Sequence, residues 1–168
     1  EALTGLGFLE TSSLHFITAE EASRSHKENL LEVENPRTEH TFLRPNLLIP
    51  TLRTLTHNLH AEYPQKICET GIVFNKNENQ IKESPHLIIA HTPANFTILK
   101  QTLDYLFRTL NVNYEIKETS VKGFIDGRTA SVHLEGKTIG YLGEMHPNTL
   151  RSWHLKMPLA IAEINLEH

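Results

Sequence analysis

The chain has one cysteine, Cys68. A single thiol excludes an internal disulfide framework and a zinc site built from several thiolates, and it fits a reducing, cytoplasmic compartment. No apolar run approaches the roughly 20 residues needed to span a bilayer, so no membrane contact is expected. The opening EALTGLGF has neither a basic leader nor an extended apolar stretch, so it does not read as a signal peptide. Excess positive charge is also missing: 16 Lys plus Arg face 20 Asp plus Glu, a formal net charge of -4. No broad basic field attracts nucleic acid unaided, so contact with RNA would be local or shared with a partner. Gly and Pro are scattered, and KGFIDGRTA has the wrong spacing for a phosphate loop or a nucleophile elbow. P-loop and serine hydrolase chemistry are thereby set aside. There is no internal repeat and no low-complexity segment.

What remains is the composition of an ordinary globular protein, 39% apolar and 21% charged over 168 residues, long enough for one sizeable core. One domain, 1–165, is expected. The last residues, Leu166 to His168, read either as native or as a tag remnant.

Residues 1–6 look like the end of a helix closed by Gly7, and the alternation of FLETSSLHFI predicts one strand from Phe8 to Ile17. Thr18 and Glu21 have capping-box spacing, which makes TAEEASRSH a short helix. Leu48, Leu52, Leu55 and Leu59 form one stripe on a helix over 46–60, with Pro50 tolerable only near its first turn. KICETGIVF reads as a strand, NKNENQIKESP as a polar hairpin or loop, and HLIIAH as a buried strand. Asn95 caps a second helix running to Leu110. VNYEIKE, TASVHLE, TIGYLGE and LAIAEINL are further strands, with a tight turn at Glu135 to Lys137 and a turn or helix at HPNTLRSW. Links this short allow only antiparallel pairing. The fold class is α+β, an antiparallel sheet flanked by helices.

Several residue groups carry potential chemistry. Of eleven histidines, His57 and His60 lie one helical turn apart, and His133, His146 and His154 follow. None forms an H-E-x-x-H or paired C-x-x-C pattern, so scattered histidines are expected rather than a metal site. Cys68 sits inside a predicted strand, as a small buried apolar residue does. Glu144 and His146 suggest an acid and base pair, but no activated partner accompanies them, and the turn before Pro147 accounts for the segment. Arg128 either reaches an anion or carboxylate on another chain with its planar fork, or pairs with a local acid such as Asp126. The Arg53/His57 face of the leucine-striped helix packs either on its own sheet or on a partner.

Taken in order, GLGFLETSSLHFI, ENPRTEHTFLRPNLLIPTLRTLTHNLH, KICETGIVF, FIDGRTASVHLEGKTIGYLGEMHP and PLAIAEINL resemble the catalytic-like module of the phenylalanyl-tRNA synthetase beta subunit, over nearly the whole chain. That family shows a Gly-Phe-x-Glu opening, here Gly7 to Glu10, and an N-P segment, here Asn35-Pro36. An L-R-x-x-L-L-x-P helix start and an E-x-G-x-V-F strand follow, here Leu43 to Pro50 and Glu69 to Phe74. Gly127-Arg128 and Ile139 to Pro147 match its G-R and I-G-x-x-G-E-x-H-P elements. Cys68 stands where the family often has an aromatic residue, and Ile49 where leucine is common. The lack of a further domain after the closing strand looks like the archaeal and eukaryotic beta subunits, or like a truncated chain.

The resemblance implies a class II aminoacyl-tRNA synthetase-like sheet. Active members of that class carry a strand ending G-x-x-F-R-x-E, whose arginine grips the ATP α-phosphate. Here Asn75 takes the arginine's place and Asn77 the glutamate's. A neutral amide does not replace a bidentate cation, and Lys76 is a flexible point charge without the fork. The second ATP-binding arginine of the class, in a C-terminal Gly-rich helix start, has no counterpart after Gly136. Losing one preorganised donor costs about 3 to 4 kcal/mol of transition-state stabilisation.

The implied domain has no catalytic residue, cofactor or metal of its own. ATP and Mg belong to the alpha subunit of an (αβ)2 enzyme that charges tRNA with phenylalanine, and tRNA is reached through the assembled complex. By the same resemblance Glu1 to Ile17 are expected to belong to the dimerisation element, with the sequence beginning inside its helix. Candidate interface residues are Leu6, Phe8, Arg44, Pro50, Arg53 and Arg128. Two alternatives stand beside this: a divergent ATP-dependent adenylating domain, and a module that contacts tRNA through Arg37, Arg44, Arg53 and nearby histidines.

Overall fold

The computed structural model describes residues 1–24, 30–77 and 80–167. The chain opens with α1 (Ala2–Gly5), turns at Gly7 with φ +82° and enters β1 (Leu9–Glu10). The single strand expected over 8–17 is instead two short ones in different sheets, β1 and β2 (Phe16–Thr18). The residues between them are held by side chains: Ser13 Oγ donates to Glu69 Oε2 at 2.6 Å, and Thr11 Oγ1 and N–H both donate to the Cys68 carbonyl. Alternation survives in the sequence although the ladder is broken.

In α2 (Ala19–Arg24), the Thr18 N–H donates to Glu21 Oε2 at 2.9 Å and the Glu21 N–H to Thr18 Oγ1 at 3.2 Å, the reciprocal bonds of a capping box. The remainder of TAEEASRSH, Ser25 and His26, lies outside the described residues. β3 (His40–Leu43) pairs antiparallel with β2. α3 (Leu48–His57) is shorter than the 46–60 expected, since Asn46 sits before it, its Oδ1 accepting from the Ile49 N–H at 3.2 Å. Pro50 falls in its first turn, where no intrahelical donor is lost. Leu52 and Leu55 are buried, with Leu48 and Leu59 packed against the same core.

β4 (Gln65–Asn77) and β5 (Gln80–Thr92) pair in unbroken register to their ends. The polar segment read as a hairpin or loop over 75–85 is therefore largely strand; its residues 78 and 79 lie outside the described residues. One face of an antiparallel pair tolerates polar side chains because it is solvated. After α4 (Phe96–Thr109), capped by Asn95 Oδ1 accepting from the Ile98 N–H, come β6 (Glu115–Glu118), β7 (Phe124–Leu134) and β8 (Lys137–Met145). Glu135 and Gly136 both have positive φ in the two-residue turn of the last hairpin, matching the twist of its strands. α5 (Pro147–Ser152) follows, with His146 at its N-cap, and β9 (Ala160–Asn165) closes the chain.

The main sheet runs β1-β4-β5-β9-β8-β7-β6, so the last strand is central. All its pairs are antiparallel except β1 with β4, which run parallel, a departure from the all-antiparallel expectation. β1 can do this because it is followed by the connection through β2, α2, β3 and α3 before β4 begins. α1 and α4 cover one face of the sheet and α3 and α5 pack on the other.

Candidate functional site

The face of the sheet that carries α3 and α5 also holds a cleft of about 550 Å³. Asn75 of β4, His86 of β5, Tyr141 of β8 and Glu163 of β9 line it from the sheet, and Asn46 and Leu48 from the start of α3. Val121, Lys122 and Phe124 close its other side.

Glu163 is the only charged residue in a strand otherwise buried and apolar, Ala160 to Ile164. Its carboxylate is 3% exposed yet fully engaged. Oε1 accepts from the Leu47 N–H at 3.0 Å and lies 2.8 Å from His86 Nδ1, while Oε2 accepts from the Tyr141 hydroxyl at 3.1 Å. Burial, and then the Glu163 charge, push the Tyr141 phenol well above its ordinary range, so it stays a donor. The network ties the start of α3 to three neighbouring strands. Gly140 beside it is close-packed: a Cβ there would run into the Glu163 backbone carbonyl.

Asn75 is half-exposed in the lining, and among the described residues its side chain has no hydrogen-bond partner. Asn77 ends β4; its side chain lies outside the described residues. Lys122, exposed, is the sole Lys or Arg among the described lining residues.

The candidate interface residues part company. Leu6 is half-buried against the core on the α4 side, and Phe8 is 3% exposed, its ring and that of His91 packed T-shaped with centroids 6.0 Å apart. Pro50 is buried in α3. Arg44 is not a surface residue at all: it is 1% exposed and ion-paired to Glu69 at 2.7 Å. Phe8, Arg44 and Pro50 are therefore buried within this chain: Phe8 follows the turn at Gly7, Arg44 leaves β3 to pair with Glu69, and Pro50 lies in the first turn of α3. Arg53 is engaged by Glu21, its Nε and Nη2 donating to the two carboxylate oxygens at 2.5 Å. Burial works against the Glu21 charge, but the bonds from Arg53 and the Thr18 N–H outweigh it and hold the carboxyl below its ordinary range. Of the arginines suggested for tRNA, only Arg37 is exposed and, among the described residues, without such an ion pair.

Arg128 is exposed and pairs at 2.8 Å with Glu144, not with Asp126, which accepts from Ser120 instead. The pairing follows from a bulge: Phe124 faces Met145 but Thr129 faces Gly143, so the extra residues carry Arg128 across to β8. Glu144 also accepts from the Phe96 N–H at the start of α4, at 2.8 Å, so its two oxygens are structural. His146 caps α5 by accepting from the Asn148 N–H, and His133 sits between Ser131 and Thr138. Among the described residues no three His, Cys, Asp or Glu side chains converge on a metal position. Cys68 is buried, its thiol pushed up by burial and by Glu10. No helix of the described residues is long and apolar enough to cross a membrane.

His86, Tyr141 and Glu163 escaped the sequence reading. The signal was there in Glu163, a carboxylate inside the apolar run LAIAEINL, which a buried strand does not carry without partners.

Residues 1–166 match the family model described as the phenylalanyl tRNA synthetase beta chain CLM domain. The chain is 35% identical to the phenylalanine--tRNA ligase beta subunit of Archaeoglobus fulgidus, over 99% of its own length and 31% of that protein. It is 34% identical to the beta subunits of Thermococcus sibiricus and Aeropyrum pernix, again over 99% of its length and 31% of each. It thus spans about a third of the curated relatives it matches. The fold is that of class II aminoacyl-tRNA synthetases: the pyrrolysyl-tRNA synthetase from Desulfitobacterium hafniense superposes with a TM-score of 0.82 at 14% identity, covering 99% of this chain and 63% of that one.

Proposed function

The chain belongs to the phenylalanyl tRNA synthetase beta chain CLM domain family, and on that premise we propose that it is the non-catalytic, class II-like module of a phenylalanine-tRNA ligase beta subunit. Its role is to hold the catalytic alpha subunit in an (αβ)2 enzyme that charges tRNA with phenylalanine in the cytoplasm. The module occupies 1–165. ATP and Mg act in the alpha subunit, and tRNA meets this module through the assembled complex.

The observation that carries the catalytic silence is the charge inventory of the cleft. Its described lining offers one exposed lysine and no arginine, with the amide of Asn75 where the class carries its phosphate-gripping arginine. A carboxylate lies at the floor. Nothing there matches a bidentate clamp for a pentavalent phosphate. The docking role is supported by Leu9, Leu14 and Phe16, which are 67%, 59% and 38% exposed within the opening element. Exposed apolar side chains along one short segment fit a contact surface.

Calorimetric titration of the chain with ATP and magnesium tests the silence. No heat of binding is expected in the micromolar range. Magnesium-dependent micromolar binding would restore the adenylating alternative.

A further inference from the structure

Of the chain's two aspartates, Asp104 and Asp126, only the second is followed by glycine. Asp104 lies inside α4, where Lys100 and the Tyr114 hydroxyl both donate to its carboxylate. Asp126 stands in the bulge of β7. Phe124 faces Met145 and Thr129 faces Gly143, so Ile125 to Arg128 lie opposite Glu144 alone. On the other edge the β6 ladder ends with Glu118 opposite Ala130. No register pairing fixes the Asp126-Gly127 peptide unit from either side. Both residues are exposed, and Gly127 has φ +74° with nothing within 4 Å of where a side chain would begin. The Ser120 hydroxyl donates to Asp126 Oδ1 at 2.6 Å, and among the described residues the carboxylate has no ion pair.

An aspartate side chain closes a five-membered ring on the nitrogen of the next residue if that nitrogen can turn toward it. Ladder hydrogen bonds oppose the turn, and so does a Cβ on the next residue. The bulge removes the first obstacle and glycine the second. We propose that Asp126 is a site of spontaneous isomerisation to isoaspartate in the folded protein. The Gly127 nitrogen attacks Cγ of the protonated Asp126 carboxyl. The new C–N bond forms as the C–OH bond breaks, and the amide proton leaves with the hydroxyl as water. Water then opens the succinimide. Attack at the side-chain carbonyl restores aspartate, whereas attack at the main-chain carbonyl leaves the backbone running through Cγ. The isomer carries one extra main-chain carbon directly ahead of Arg128, so it displaces that guanidinium from Glu144, its partner at 2.8 Å. Neither the cleft nor alpha-subunit docking enters the step, so each reading can fail alone.

The test holds the folded 168-residue chain in heavy-oxygen water at neutral pH for several weeks, followed by trypsin digestion in ordinary water. Trypsin releases Gly123 to Arg128 as one peptide, since Lys122 precedes it and Arg128 ends it, and Asp104 falls in the peptide from Gln101 to Arg108. Each passage through the succinimide leaves one heavy oxygen in the first peptide. Label is expected there, with a second chromatographic form of the same mass, at a rate within severalfold of that of a synthetic peptide spanning 120–130. No label is expected in the Asp104 peptide. Asp126→Glu should abolish both signals, because glutamate closes a six-membered ring far more slowly, and a thermal melt confirms that this variant folds. The proposal is overturned if the folded chain takes up no label, if the Asp104 peptide labels as fast, or if folded Asp126→Glu labels as the parent does.

Discussion

Arg44 Nη1 lies 2.7 Å from Glu69 Oε1 with both side chains almost sealed from solvent, 1% and 4% exposed. The same guanidinium donates through Nε to the Ile72 carbonyl at 2.8 Å and through Nη1 to Ser13 Oγ at 3.0 Å. It also lies across Gly71, where a Cβ would collide with it. The L-R of one sequence motif and the E-x-G of another, 25 residues apart, are thus one physical unit. It pins the segment between β1 and β2 to β4.

Removing one partner strands a buried charge. Arg44→Met is expected to cost about 3 to 5 kcal/mol in urea unfolding, and the double change Arg44→Met with Glu69→Leu to recover part of that loss. A single-variant cost below about 1 kcal/mol would contradict the burial argument.

Gly71→Ala should destabilise the parent protein but cost clearly less in the Arg44→Met background, because the collision is with the guanidinium. A double-mutant cycle measures this coupling. Equal costs in both backgrounds would place the strain in the backbone instead.

His91 gives stability a pH dependence. Its Nδ1 is buried without a partner among the described residues, with the Phe8 ring on one side and Lys66 opposite in the ladder. Burial, and then Lys66, hold its pKa below the ordinary 6.5. The unfolded chain therefore takes up the proton first as pH falls, so stability is full above about 6.5 and declines below it, toward the lower folded value. His91→Leu should flatten the thermal stability profile between pH 6.5 and 5. A parent profile with no decline across that window would be the contrary result.

The sequence revealed more of the fold than of the site, for a reason visible in particular residues. Local signals governed by backbone donors, such as the Thr18/Glu21 box and the Asn95 cap, appear in the structure as read. Periodicity located the α3 and α4 stripes because burial on one face repeats every turn. It failed over 8–17, where two short strands in different sheets replace the single one expected, while over 75–85 the hairpin alternative holds, its strands running to Asn77 and from Gln80. Charged residues were the hardest to place. Arg44 and Arg53 look like surface cations until Glu69 and Glu21 arrive from elsewhere in the chain. His86, Tyr141 and Glu163 meet only because β9 inserts between β5 and β8, a topology no local pattern encodes.

Leu14 is 59% exposed, so Leu14→Asp should leave the melting temperature within about 2 °C of the parent, as surface changes do. Under the docking reading the same change weakens association with the alpha subunit by tenfold or more, as measured by titration of one subunit into the other. Unchanged affinity would remove this part of the opening element from the proposed interface.

Sedimentation velocity of the chain, alone and mixed with its cognate alpha subunit, tests the central claim most directly. The account expects a faster-moving boundary carrying both proteins, lost or weakened with Leu14→Asp. Two independent boundaries at micromolar concentrations, with the chain folded, would contradict it.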